Sequence, residues 1–136
     1  MRRLPSLCAL PLLLSLPLVG HAGPDVLRVG ASHALMATLE PLVDRYQVDT
    51  HNKVLLIGGG DEELGEQVRQ GTPYDLLLSA QPAPLTHLHH QGHGEKPRPV
   101  GCQAQPMQEL TLVRGERHGL ATHFLDYLKQ QDCIGR

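Results

Sequence analysis

The spacing of apolar positions changes period several times along the chain, and each change marks an element. Residues 26–29, Val-Leu-Arg-Val, are a short apolar run that reads as a strand. Gly30-Ala31-Ser32 follows as a tight turn, with Ser32 where a helix N-cap belongs. Leu35, Leu39, Leu42, Val43 and Tyr46 then recur at offsets of 4, 7, 8 and 11 from Leu35, one face of a helix. Pro41 lies inside that run and removes the bond to the carbonyl of Ala37, which predicts a kink or a weak second turn. After polar residues 47–52, residues 53–57 read as a continuous apolar strand, as in a sheet covered on both faces. Gly58-Gly59-Gly60 reads as a turn needing φ > 0 or as a backbone nest for an anion. Asp61 reads as the next N-cap, Leu64 and Val68 as an inward face, and Gly71 as a helix stop.

Residues 74–79, Tyr-Asp-Leu-Leu-Leu-Ser, form a third strand, and Pro82 or Pro84 opens a short helix running to about His90. Residues 91–105 carry Gly, Pro and charge without apolar periodicity and read as a linker or long loop. Residues 109–113 are a fourth strand candidate. Leu120, Ala121, Phe124, Leu125 and Leu128 mark a final amphipathic helix ending around Gln131. This order predicts an α/β fold with a mostly parallel sheet and helices on both faces. The turns at 30–32 and 58–61 would then share the carboxyl edge of neighbouring strands, where ligands sit in such folds. Helix N-termini at that edge present unpaired N–H groups that suit an anion.

The first 22 residues carry a different signal. Arg2 and Arg3 precede an apolar stretch from Leu7 to Val19, and Gly20-His21-Ala22 has the small-x-small form of a cleavage site. The stretch is too short for a stable span, so residues 1–22 read as a secretory signal and residues 23–136 as one small α/β domain exported to the periplasm or beyond the cell. No second apolar run of membrane length follows. Without Arg2 and Arg3 the chain keeps 10 basic and 14 acidic residues, a net charge of −4, which argues against nucleic acid or an anionic membrane surface as a partner. One Phe, three Tyr and no Trp leave no aromatic platform for sugars or bases. Cys102 and Cys133 remain after cleavage, and an oxidising compartment admits either a bridge or two unpaired thiols. A bridge would close a 30-residue loop, worth roughly 3–4 kcal/mol on the chain-entropy view.

Several of these segments together resemble the periplasmic molybdate-binding proteins of ABC importers, two-lobed members of the type II periplasmic binding fold. Residues 26–32 resemble that family's first strand and Ala-Ser turn, and residues 53–60 its second strand and glycine turn. Gln67-Val68-Arg69-Gln70-Gly71 resembles a helix end, Tyr74 through Ala80 a third strand, and Phe124-Leu125-Asp126-Tyr127-Leu128 the closing helix. The resemblance implies a substrate-binding protein for molybdate, tungstate or another small oxyanion, working with an ABC importer permease. It also implies that residues 91–106 stand in place of the family's second lobe, leaving one lobe and its C-terminal return.

On this reading Ser32 matches the family's first serine ligand, Gly59 and Gly60 supply backbone N–H groups, and Asp61 falls where a second serine is expected. A carboxylate beside a dianion is repulsive by about 1 kcal/mol per charge pair even in water, so weakened or lost molybdate affinity is expected. The other chemistry-bearing stretch is His87, His89, His90 and His93, imidazoles at helical spacings that could take Zn(II), Cu(II) or Ni(II), or could form a solvated helix end. His33, beside Ser32, either lends charge to the turn or is simply exposed. A periplasmic transition-metal protein and a ligand-free interaction module that dimerises are therefore the alternatives. No nucleophile–base–orienter set or Walker loop is present, so neither an enzyme nor a cofactor is expected.

Overall fold

The computed structural model describes residues 26–101 and 105–134, and for residues 132–134 the backbone only. Its elements, in order, are β1 (Val26–Ser32), α1 (His33–Thr50), β2 (Lys53–Gly59), α2 (Asp61–Arg69), β3 (Leu76–Ser79), α3 (Pro82–His90), β4 (Arg98–Val100), β5 (Met107–Thr111) and α4 (Glu116–Ile134). The secretory segment and Cys102 lie outside the described residues, as does the Cys133 side chain.

The strands form one five-stranded sheet in the order β2-β1-β3-β5-β4. β1 pairs parallel with both β2 and β3. β5 runs antiparallel to β3, and β4 antiparallel to β5. Four strands therefore point one way and β5 the other. The mostly parallel α/β architecture expected from the element order is what the chain adopts.

Each face of the sheet has its own apolar layer. On one face, Leu27, Val29, Ala31, Val54, Leu76 and Leu78 pack against Leu35, Leu39, Val43 and Tyr46 of α1 and Phe124, Leu125 and Leu128 of α4. On the other, Leu77 and Leu110 meet Leu64 and Val68 of α2 and Leu85 and Leu88 of α3. The α1–α4 seam is closed by Tyr46, whose ring stands edge-on to Phe124 at 5.1 Å and to Tyr127 at 5.0 Å.

Several local expectations are corrected. Gly30, Ala31 and Ser32 make no turn; β1 runs on to Ser32, which pairs with Gly59 of β2, and α1 begins at the next residue. Gly58 and Gly59 likewise belong to β2, and none of Gly58, Gly59 and Gly60 has positive φ. What these positions require is room. A Cβ at Gly58 would sit 3.0 Å from Met36 Cγ, and one at Gly59 would sit 3.1 Å from Leu64 Cδ2. α1 continues through Pro41 as a single element and ends at His51, whose left-handed backbone sends its N–H to Gln47 O. β2 is not covered on both faces: it is an edge strand, and Leu55 is 48% exposed. Residues 91–106 are not a bare linker. They contribute β4, whose register Arg98 to Glu109 is reinforced by a 2.7 Å ion pair.

The amino edge of the sheet is tied by Asp75, which precedes β3. The residue is 3% exposed, and its carboxylate receives Arg117 Nε at 2.9 Å, Arg117 Nη2 at 2.6 Å and the Arg28 N–H at 2.7 Å. This buried ion pair joins β1, β3 and the start of α4.

Candidate functional site

Parallel strands β1, β2 and β3 deliver three chain segments to one edge. At that edge the chain passes from Ser32 into α1, from Gly59 through Gly60 into α2, and from Ser79 through Ala80 and Gln81 into α3. The edge is built from these segments because β1, β2 and β3 run parallel, so the helix that follows each strand starts at the same edge of the sheet.

Ser32 is 5% exposed. It occupies the N-cap position of α1 but makes no side-chain cap bond. Its Oγ instead accepts the Ala80 N–H at 3.3 Å, across from β1 to the end of β3. Ser79 is 1% exposed and doubly engaged: its hydroxyl donates to Asp61 Oδ1 at 2.9 Å and accepts the Gln81 N–H at 3.0 Å. Asp61 is thus not the N-cap of α2; Gly60 is, and Asp61 is the first helical residue with its carboxylate turned toward β3. The Gly60 N–H is already directed at Glu63 Oε1, 3.3 Å away. A Cβ at Gly60 would meet nothing within 4 Å, so the entrance to α2 is open.

The residues singled out from sequence, Ser32, Gly59, Gly60 and Asp61, lie at the same edge of the sheet, Ser32 paired with Gly59 and Asp61 bonded to the end of β3. Backbone nest geometry is not how they do so, because a nest needs positive-φ residues and these glycines are extended or in the strand. Sequence reasoning missed Ser79 and Ala80. The available signal was that β3, like β1, ends in a serine at the point where a parallel strand gives way to a helix.

Beside Asp61, a depression of about 370 Å³ runs between α2 and α3, with Gly65, Pro84, Arg69 and His87 among its lining residues. A second depression of about 280 Å³ lies at the opposite, amino edge between Tyr74, His93, Glu95 and Thr111. The carboxyl edge is preferred as the site because the convergent hydroxyls, carboxylate and helix start are there.

The histidines do not assemble. Among the described residues no group of three or more His, Cys, Asp or Glu side chains is placed to hold a metal ion. His89 Nδ1 is 3.1 Å from Gly94 O, and its ring stands 5.9 Å from that of His90, both at the end of α3. His87 is exposed, and His93 lines the amino-edge depression. The helical spacing that suggested chelation spreads these imidazoles around a short helix and the turn after it. His33 is exposed in the first turn of α1. Among the described residues no helix is long and apolar enough to cross a membrane.

Residues 27–107 match the sequence profile of the bacterial extracellular solute-binding proteins. The chain belongs to that family. Two solved structures share the fold of this solute-binding protein. One is the periplasmic molybdate-binding protein of Azotobacter vinelandii, 24% identical with a TM-score of 0.51, covering 55% of this chain and 34% of that one. The other is a substrate-binding domain assigned to a molybdenum ABC transporter of Clostridium difficile, 22% identical with a TM-score of 0.51, covering 54% of this chain and 34% of that one. The matched part of the solute-binding protein spans about a third of the length of these structures. No curated protein matches it.

Proposed function

We propose that this chain is a periplasmic solute-binding lobe that takes a small oxyanion at the carboxyl edge of its sheet, in the service of an ABC importer, with weakened or lost affinity for molybdate. The observation that carries the reading is Ser32. A buried hydroxyl that leaves its capping role empty and has a proton to donate, beside an open helix start, is arranged for a ligand oxygen. The family, and the fold shared with a molybdate-binding protein and a molybdenum-transporter domain, support the ligand class. Asp61 supports the weakening, since its carboxylate faces the same edge through Ser79. In this reading the stretch 91–106, whose described residues supply β4 to the sheet, stands where a second lobe would be inserted. The bound ion then remains open to solvent on one side unless another chain covers it.

Titration calorimetry of the purified protein with molybdate and tungstate tests the reading. Weak binding, or binding of another oxyanion in preference, is expected; a sub-micromolar molybdate constant would refute the loss of affinity. A second reading, an interaction module without a ligand, draws on the free edge of β2 and the exposure of Leu55. It requires a dimer or complex on sizing and no response to any anion.

A further inference from the structure

We infer that the outer edge of β2 pairs antiparallel with the same edge of a second copy of this chain, about a two-fold axis at Ile57, joining two five-stranded sheets into one. The pairing uses the long side of β2 and not the strand ends. It is therefore independent of the oxyanion reading, and it is tested by mass and not by anion binding.

The two outer strands of the sheet differ in how their free sides are protected. β4 has three residues, Arg98-Pro99-Val100, includes a proline that has no N–H, and pairs its charge with Glu109. Shortness, proline and charge are the devices that keep an edge from pairing. β2 has seven residues, no proline, and one charge, Lys53, at its start. Among the described residues nothing pairs with its outer side. Leu55 is 48% exposed on this strand, and Ile57 is half-buried.

The chain itself sets the register. Successive N–H groups alternate between the two sides of a strand. The Val54 N–H is bonded to Gln47 Oε1 at 2.8 Å, so positions 54, 56 and 58 face outward and position 54 is occupied. Leu56 and Gly58 are left. In an antiparallel pair centred on Ile57, Leu56 of one copy lies opposite Gly58 of the other. The two positions then exchange four backbone bonds by symmetry, with Gln47 undisturbed. A Cβ at Gly59 would sit 3.1 Å from Leu64 Cδ2, so residues 53, 55 and 57 share the α2 face of the sheet with it. On that face Ile57 meets Ile57 of the other copy, and Leu55 lies opposite Gly59, which has no side chain to obstruct it.

Charge fits the same register. Lys53 is exposed and falls just beyond Gly59 of the other copy, against the first turn of its α2, where Asp61, Glu62 and Glu63 stand together. Glu63 Oε1 already leans over the strand, 3.2 Å from where a Cβ at Gly59 would be. The two-fold axis makes this contact twice. Parallel pairing of the two edges would instead set Lys53 beside Lys53 and one acidic turn beside the other, so charge selects the antiparallel arrangement.

A seven-residue edge and its flanks make less than a standard interface, so a dissociation constant on the order of 0.1 mM is expected. Sedimentation of the purified protein over about 10 µM to 1 mM, which brackets that constant, should show the mass rising from one chain to two and no further. Leu55→Lys puts a charge on the pairing edge, and Lys53→Glu sets acid against acid; each should weaken the dimer about tenfold or more. Adding Glu63→Lys to Lys53→Glu should recover about threefold or more of that loss, a rescue that general destabilisation would not give. Circular dichroism checks that each variant is folded. A wild-type protein that stays monomeric leaves the edge to another occupant and overturns the inference. A dimer indifferent to both Leu55→Lys and Lys53→Glu overturns it by placing the contact elsewhere, and a double variant no better than Lys53→Glu overturns it by removing the charge pairing.

Discussion

Replacing Ser32 by alanine separates a ligand role from a helix-capping role, because the structure gives the two different magnitudes. A serine that caps a helix through its side chain costs about 1 kcal/mol when truncated, and up to about 2 kcal/mol in some proteins. Ser32 makes no such bond. What the substitution removes is one neutral hydrogen bond from Ala80 N–H, at 3.3 Å, long for its type. Neutral bonds contribute about 0.5–1.5 kcal/mol net, and a long one belongs at the low end. Ala80 is only half-buried, so water can take over its N–H. Ser32→Ala should therefore destabilise by about 0.5 kcal/mol, a fall in Tm of about 2–4 °C for a domain of this size. Its effect on the best-bound of phosphate, arsenate, sulfate and molybdate should be larger, a loss of about tenfold or more, since a hydroxyl donating to an anion is a charged hydrogen bond. Urea denaturation followed by circular dichroism gives the first number and calorimetry the second. A stability loss above about 2 kcal/mol with anion binding unchanged would show that Ser32 is structural.

Other perturbations probe the scaffold. Asp75→Ala orphans the Arg28 N–H and removes the carboxylate from Arg117, whose side chain is 30% exposed and so partly hydrated. The expected cost is about 3 kcal/mol, at the lower end for a broken buried pair; urea denaturation showing less than about 1 kcal/mol would refute the clamp. Gly30→Ala places a Cβ 2.7 Å from Leu77 Cδ2 and 3.0 Å from Tyr74 Cε1, both on buried side chains, so a loss of about 1–3 kcal/mol is expected in the same assay. Burial, and secondarily the charge of Glu63, raises the Tyr74 pKa above 10.0. The unfolded chain then ionises first, and stability present below about pH 10 is lost as pH rises beyond it, with a slope that Tyr74→Phe should flatten. Zinc should leave the Tm unchanged in the absence of other ligands; a rise of several degrees would restore the histidine-cluster reading.

Periodicity sufficed for the helices and the layer order, since the faces of α1 and α4 are carried by Leu35, Leu39, Val43, Phe124 and Leu128, which pack as their spacing requires. It failed where a residue type has two physical uses. Glycines at 30, 58 and 59 look like turn residues, yet each is in a strand where a neighbouring side chain comes too close for a Cβ. β4 escaped notice because three residues, two of them Arg98 and Pro99, carry no apolar alternation; the strand is held by pairing to β5 and by Glu109. The site was legible as an edge and only partly as a set of atoms. Ser32 and Asp61 could be placed by their position after strands, but the bond joining Asp61 to Ser79 spans 18 residues and depends on strand order. The Asp75–Arg117 pair spans 42 residues and left no local trace for the same reason.

The two edges of the sheet differ in how completely their polar groups are used, and that difference separates support from function. At the amino edge every polar group of Asp75 is engaged: both carboxylate oxygens accept, its N–H goes to Arg28 O, and its carbonyl receives the Leu112 N–H. A polar group saturated by its own chain stabilises the fold and has nothing to offer a ligand. At the carboxyl edge Ser79 is saturated in the same way, and it serves to aim Asp61. Among the described residues Ser32 donates to no acceptor, and the half-buried Asp61 accepts only from Ser79. Each is bonded to a different residue of the β3 end rather than to the other. An edge with hydrogen-bonding capacity to spare is where a small ligand can gain bonds without breaking the fold's own, and for that reason the carboxyl edge and not the amino edge is the candidate site.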